Sequence, residues 1–181
     1  MTHVSDDQHL WVSWSEYHRA IERLALKVHE SGWKFDQVLC LARGGVRPGD
    51  TLSRIFDVPL AILSTSSYRE DAGTKQGGLD IAKYITLTKG TLTGRVLLVD
   101  DLVDSGVTLE KVQHHLKENF PGVTEVKSAV IWCKACSSVR PDFYVDYLDS
   151  NPWIHQPFEE YDGLRPHQLA AWLKKGEAHQ N

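Results

Sequence analysis

Two adjacent carboxylates, Asp100 and Asp101, close the apolar run Val96-Leu97-Leu98-Val99, and after Leu102-Val103 comes Asp104-Ser105-Gly106-Val107-Thr108. A short apolar run of this kind reads as a buried strand, and open parallel sheets place their ligands at the carboxyl ends of such strands. Small and hydroxyl-bearing residues around a glycine, just ahead of a helical pattern, let successive backbone N–H groups and the Ser105 and Thr108 hydroxyls wrap a phosphate. The two ends of the segment have opposite preferences. A lone phosphate is repelled by Asp100 and Asp101, whereas a ribose diol, or Mg²⁺ bound to pyrophosphate, is attracted by them. A phosphorylated, metal-linked sugar satisfies both ends.

Such a segment works only if a sheet holds it. Residues 37–42, Gln-Val-Leu-Cys-Leu-Ala, form a second short apolar run that leads directly into Arg43-Gly44-Gly45. Further strands are expected at 60–63, 81–87, 95–100 and 125–132, with Thr88-Lys89-Gly90 as a turn and helices around Leu52, Ile55 and Phe56 and over 109–119. Residues 64–80 read as a long polar loop containing Gly73, Gly77 and Gly78, of a length usually reserved for function. Ahead of these, Ser13-Trp14-Ser15-Glu16 fits a capping box, Tyr17, Ile21, Leu24 and Val28 recur at helical spacing, and Gly32 supplies a stop. From Asn151 the chain is rich in Trp, Pro, His and Glu and lacks a period until a short helix over 166–175. The alternation of strand and helix predicts an α/β fold with a mostly parallel central sheet flanked by helices.

At 181 residues the chain is one domain's length, and its charge of -4 gives no global attraction to nucleic acid or anionic membrane. No apolar run approaches membrane-spanning length and no basic, apolar leader opens the sequence, so a cytoplasmic protein is expected. Three cysteines, Cys40, Cys133 and Cys136, do not make a disulfide framework. Cys133-Lys134-Ala135-Cys136 has C-x-x-C spacing but no second pair to complete a zinc site, and it reads as two small apolar residues at a strand end.

The thirteen residues 96–108 resemble the phosphoribosyl pyrophosphate signature of type I phosphoribosyltransferases: four hydrophobic residues, two acids, the variable pair Leu102 and Val103, and a phosphate loop, with Ser105 replacing the usual Thr. The rest of the chain, from about 12 to 159, is similar to the xanthine-guanine and hypoxanthine-guanine branch. The resemblance implies a 5-phosphate in loop 104–108, with Gly106 and Val107 contributing backbone, and Asp100 and Asp101 near the ribose hydroxyls. It makes Asp101 the better candidate ligand for Mg²⁺. Arg43 and Gly44 resemble the branch's pyrophosphate loop, often built on a cis peptide. Ser66-Ser67-Tyr68 resembles the start of its mobile flap, from which Lys75 could reach pyrophosphate. Lys134 stands where the branch donates to purine O6. Trp153 stands where a ring stacks on the base, and Ile154 where a backbone carbonyl accepts from a 2-amino group; Gln156-Pro157-Phe158-Glu159 continues that similarity. Asp104 occupies the place of the general acid/base near purine N7.

The implied protein is a single domain over 1–181, with a core of about 12–150, a small base-binding hood from the N-terminal segment and about 151–165, and the C-terminal helix. The implied reaction joins phosphoribosyl pyrophosphate and a 6-oxopurine with Mg²⁺, in a homo-oligomer, dimer or tetramer, that engages neither nucleic acid nor membrane. Two departures bear on the choice of base: His155 replaces an acid, and Val107 replaces a common glycine or lysine. Two other readings compete. A nucleotide-sensing regulator on the same fold needs a longer segment ahead of Gln37 to bind DNA, or, in the RNA-binding kind, lacks an acid at the position of Asp104. A transferase for adenine or orotate carries other residues there, and a 6-amino group is a poor partner for the Lys134 donor.

Overall fold

The computed structural model describes residues 4–6, 9–67, 79–88 and 90–178. In chain order the elements are β1 (Val4–Asp6), β2 (His9–Trp11), α1 (Trp14–Glu30), β3 (Gln37–Ala42), α2 (Val46–Phe56), β4 (Leu60–Ser67) and β5 (Leu79–Ile81). They continue with β6 (Gly94–Val99), β7 (Leu102–Val103), α3 (Val107–Asn119), β8 (Val123–Lys134), β9 (Phe143–Leu148), β10 (Trp153–His155) and α4 (Pro166–Ala178). Two compact units result, His18–Asn151 and Met1–Tyr17 with Pro152–Asn181. No helix among the described residues is long and apolar enough to cross a membrane.

The larger unit is built on a seven-stranded sheet of order β5-β4-β3-β6-β8-β7, with β9 on the free side of β8. Every strand pairing in it is parallel except β4 with β5. The apolar runs of β3 and β6 have no period because both faces are covered: Val38 to Leu41 and Val96 to Val99 are all buried. Leu39, Leu41, Leu63, Leu98, Val112 and Leu116 belong to one core cluster that joins α3 to the sheet. On α1, Ile21, Leu24 and Val28 are buried, and the helix is tied to β9 by Lys27 Nζ donating to Tyr144 O at 2.8 Å and by an Arg23–Asp146 pair at 3.1 Å.

The expected mostly parallel α/β sheet is present, with three local corrections. Residues 64–67 continue β4 instead of opening a loop, and pair antiparallel as Thr65 with Ile81 and Ser66 with Asp80; β-branched and hydroxyl side chains suit a half-solvated edge. The expected strand 81–87 ends at Ile81; beyond it Ala82 N–H donates to Ser64 O at 2.9 Å and Thr86 makes an isolated bridge to Ile62. Ile81, Ala82, Ile85 and Leu87 nevertheless pack on the core cluster, so the apolar pattern reports burial there without a ladder. Strands β7 and β9 are additional to the sequence reading, and β8 and α4 run longer than expected.

In the smaller unit, β2 pairs antiparallel with β1 and parallel with β10, in the register Trp153 to His9 and Ile154 to Leu10. Ile154 and Leu10 are buried, while Trp11 and His155 stack with ring centroids 3.7 Å apart. The Ser13 and Glu16 capping box forms as expected: Ser13 N–H donates to Glu16 Oε2 at 2.9 Å, and Glu16 N–H to Ser13 Oγ at 3.3 Å.

Candidate active site

Residues Asp100 to Gly106, with Thr108 and Leu109, line a cleft of about 170 Å³ at the carboxyl end of β6. Backbone bonds to β8 set the two acids in place: Asp100 N–H donates to Ala129 O at 3.1 Å, and Ile131 N–H donates to Asp101 O at 2.9 Å. Asp101 N–H donates to Asp100 Oδ1 at 2.9 Å, and Leu102 N–H to Asp101 Oδ1 at 2.8 Å. Leu102 and Val103 then pair with Trp132 and Cys133, which carries the chain toward the phosphate loop. Gly106 turns it into α3 at φ 87°, where a Cβ would lie 2.8 Å from Ser137 Oγ and 2.9 Å from Val139 N. Only glycine meets both demands. As the N-cap residue it has no side chain to cap the first turn; the Val107 N–H donates to Ser105 Oγ at 3.4 Å, so the loop's own hydroxyl lies where the first-turn N–H groups can receive an anion.

The turn Arg43-Gly44-Gly45 lies beside the acidic pair that lines the cleft. The Ala42–Arg43 peptide is cis, as the resemblance anticipates for a pyrophosphate loop, and Arg43 is exposed. A Cβ on Gly44 would stand 2.5 Å from the Asp101 carboxylate, and one on Gly45 would collide with Val99 O. This turn therefore sits directly against the acidic pair. Burial pushes the Asp100 carboxyl well above the usual carboxylate range, and the negative charge of Asp101 raises it further. A cation or a hydroxyl donor at this point would relieve both effects.

Lys134, at the end of β8, is 7% exposed, and its Nζ lies 3.5 Å from Oδ1 of the exposed Asp104. Arg43, Gly44, residues 100–106 and Lys134 thus all belong to strand ends and turns of the same sheet, and residues 107–108 open α3. Trp153 and Ile154 belong to the smaller unit, with Trp153 46% exposed and Ile154 buried. Tyr68, Gly73, Lys75, Gly77, Gly78 and Lys89 lie outside the described residues.

The cysteine pair corrects the sequence reading. Cys133 is a buried strand residue, but Cys136 is exposed, and its Sγ lies 3.3 Å from Asp104 Oδ1. Ser138 is a second residue that the sequence reading omits: its N–H and its hydroxyl each donate to Ser105 O at 3.0 Å. The signal for both was their place just after the strand carrying Lys134. Nothing local pairs them with a loop some thirty residues earlier, Cys136 being 32 positions from Asp104.

The family model for the phosphoribosyl transferase domain matches residues 13–162, which include the cleft, the Arg43-Gly44-Gly45 turn and Lys134. The chain belongs to the phosphoribosyltransferase family. Among its relatives, the xanthine-guanine phosphoribosyltransferase of Idiomarina loihiensis is 29% identical over 154 residues, 84% of this chain and 88% of the relative. The purine phosphoribosyltransferase from Pyrococcus horikoshii Ot3 superposes with a TM-score of 0.70 at 34% identity, covering 87% of this chain and 99% of the other. The xanthine-guanine-hypoxanthine phosphoribosyltransferase of Helicobacter pylori gives 0.67 at 27% identity, covering 86% and 96%. This phosphoribosyltransferase is accordingly an enzyme of group transfer, with the fold that residues 96–108 implied.

Proposed function

We propose that this phosphoribosyltransferase is Mg²⁺-dependent and moves the 5-phosphoribosyl group of phosphoribosyl pyrophosphate to guanine, hypoxanthine or xanthine, giving the nucleoside monophosphate and pyrophosphate in purine salvage. The observation that carries this reading is the pair of Lys134 and Asp104, a buried ammonium and an exposed carboxylate 3.5 Å apart beside the phosphate loop. An ammonium has only donors, which suits a 6-oxo group and not a 6-amino group. The carboxylate beside it can accept the proton that the purine releases. The names of the relatives, with xanthine, guanine, hypoxanthine or purine as their bases, support the same class.

In this reading loop 104–108 holds the 5-phosphate, Asp100 and Asp101 receive the ribose hydroxyls, and Arg43 with the Gly44 amide grips the pyrophosphate. Trp153 stacks on the base, and the Ile154 carbonyl accepts from a 2-amino group. The bond from the anomeric carbon to pyrophosphate breaks as a bond to purine nitrogen forms. Asp104 takes the proton as general base and returns it in the reverse direction. Donors fixed before the reaction, at Arg43 and the loop amides, meet the developing negative charge without reorganising.

Asp101 fits Mg²⁺, a hard cation bound through one or two carboxylates and completed by substrate oxygens. Among the described residues no group of three or more His, Cys, Asp or Glu side chains could hold the ion by itself. When bound, the ion neutralises charge on the departing pyrophosphate. A cytoplasmic homo-oligomer, dimer or tetramer, completes the proposal; the large apolar side chains Leu26 and Ile55, exposed on α1 and α2 of the larger unit, support the association.

The test is a comparison of kcat/KM for guanine, hypoxanthine, xanthine and adenine with phosphoribosyl pyrophosphate and Mg²⁺. At least one 6-oxopurine is expected to exceed adenine by more than about tenfold, and removal of Mg²⁺ by a chelator is expected to stop turnover. Adenine as the best base would overturn the 6-oxopurine assignment, and no turnover with any base would overturn the enzyme reading.

A further inference from the structure

The turn after β8 reads the phosphate loop one residue at a time. Cys136 Sγ lies 3.3 Å from Asp104 Oδ1 and 3.6 Å from Asp104 O. Ser138 donates twice to Ser105 O, and Ser137 Oγ with Val139 N fills the space that a side chain at position 106 would need. The turn is itself fixed. Ala135 N–H donates to Leu148 O at 2.8 Å, Ser137 N–H to Lys134 O at 3.1 Å, and the Ser137 hydroxyl to Val139 O at 2.6 Å.

Asp104 has 55% of its side chain exposed, so its carboxylate would rotate freely without partners. Lys134 Nζ and Cys136 Sγ converge on the same oxygen, Oδ1. Their characters differ. The Lys134 ammonium, though buried, is a point charge with three equivalent donors and does little by itself to fix which way the carboxylate turns. The Cys136 thiol is a single short donor on a braced turn. We infer that Cys136 is a positioning residue for Asp104, its thiol pinning Oδ1 so that the second carboxylate oxygen is the one turned to the purine.

This inference rests on the general-base reading of Asp104. A thiol can serve only while it keeps its proton. Burial first, and then the bond and the negative charge of Asp104, raise the Cys136 thiol above its ordinary range, so it remains a donor at neutral pH. The same rise opposes the thiolate that C-x-x-C redox chemistry would need, and its neighbour Cys133 is buried and likewise raised.

The experiment compares Cys136→Ala, Cys136→Ser, Asp104→Asn and the Cys136→Ala/Asp104→Asn double variant in steady-state kinetics. Cys136→Ala is expected to lower kcat about fivefold to tenfold, the scale of a misaligned reacting group, with KM for phosphoribosyl pyrophosphate changed by less than about twofold. Cys136→Ser, which restores a donor, should stay within about twofold of wild-type kcat. In the Asp104→Asn background the alanine substitution should cost nothing further. Wild-type kcat in Cys136→Ala, a serine variant as slow as the alanine variant, or an equal loss in the Asp104→Asn background would each overturn the inference. An impaired Asp104→Asn beside a normal Cys136→Ala removes the inference alone, whereas a fully active Asp104→Asn removes the general-base reading with it. A readout independent of turnover is alkylation of Cys136 by iodoacetamide, followed by mass spectrometry. It should run several-fold faster in Asp104→Ala than in wild type, and equal rates would also overturn the inference.

Discussion

Asp104→Asn keeps the size of the side chain and removes its capacity to take a proton. It is expected to lower kcat by about 10²- to 10⁴-fold, the usual weight of a general acid or base, while phosphoribosyl pyrophosphate binding, measured by calorimetry, changes little. Cys40 makes a prediction of another kind. Burial pushes its thiol up to about 11 from an ordinary 9.0. The folded thiol therefore keeps its proton between those values while the unfolded chain releases it, so its contribution is intact below pH 9 and is lost as pH rises toward 11. That loss is on the order of 2–3 kcal/mol. Denaturant titrations from pH 8 to 11 should show this decline in wild type and a shallower one in Cys40→Ala, whatever the absolute cost of the substitution. At this scale Asp100, Asp101, Ser105, Gly106 and Thr108 were legible because one contiguous segment holds acids, hydroxyls and the turn glycine. The contacts of Cys136 with Asp104 and of Ser138 with Ser105 were not legible, because they are made to a loop that is distant along the chain.

Among the elements, the two turns at the carboxyl ends of β3 and β6 carry the most demanding geometry. A Cβ on Gly45 would collide with Val99 O and lie 2.8 Å from Leu41 O, both backbone atoms that cannot step aside. Gly45→Ala is expected to cost about 1–3 kcal/mol, as overpacking does, measured as a lower thermal midpoint, and to weaken pyrophosphate binding through the adjoining Arg43 and Gly44. The strands β3 and β6 were legible as short apolar runs, since burial on both faces favours apolar side chains. Residues 81–87 were misread because their apolar side chains face the core while, beyond β5, backbone bonds to β4 are limited among the described residues to Ala82 with Ser64 and Thr86 with Ile62. Periodicity reports which side chains are buried; it does not report whether a neighbouring edge is free to pair.

The whole molecule is proposed to associate through apolar side chains that its own core leaves uncovered. Leu26 is 58% exposed and Ile55 54%, and with Ala25 and Phe56 they border one groove of the larger unit. Leu26→Asp combined with Ile55→Asp is expected to shift sedimentation toward the monomer while the circular dichroism spectrum stays that of wild type; an unchanged sedimentation coefficient would exclude this face. The family and the α/β fold were determined by sequence alone, because strand, acids and phosphate loop are contiguous and their chemistry is local. Only the tertiary structure decided that Lys134 and Cys136 meet on one oxygen of Asp104 and that Gly44 lies against Asp101. Those contacts join separate strand ends, and the order of strands in a sheet is set by packing across the sheet, which no local pattern along the chain encodes.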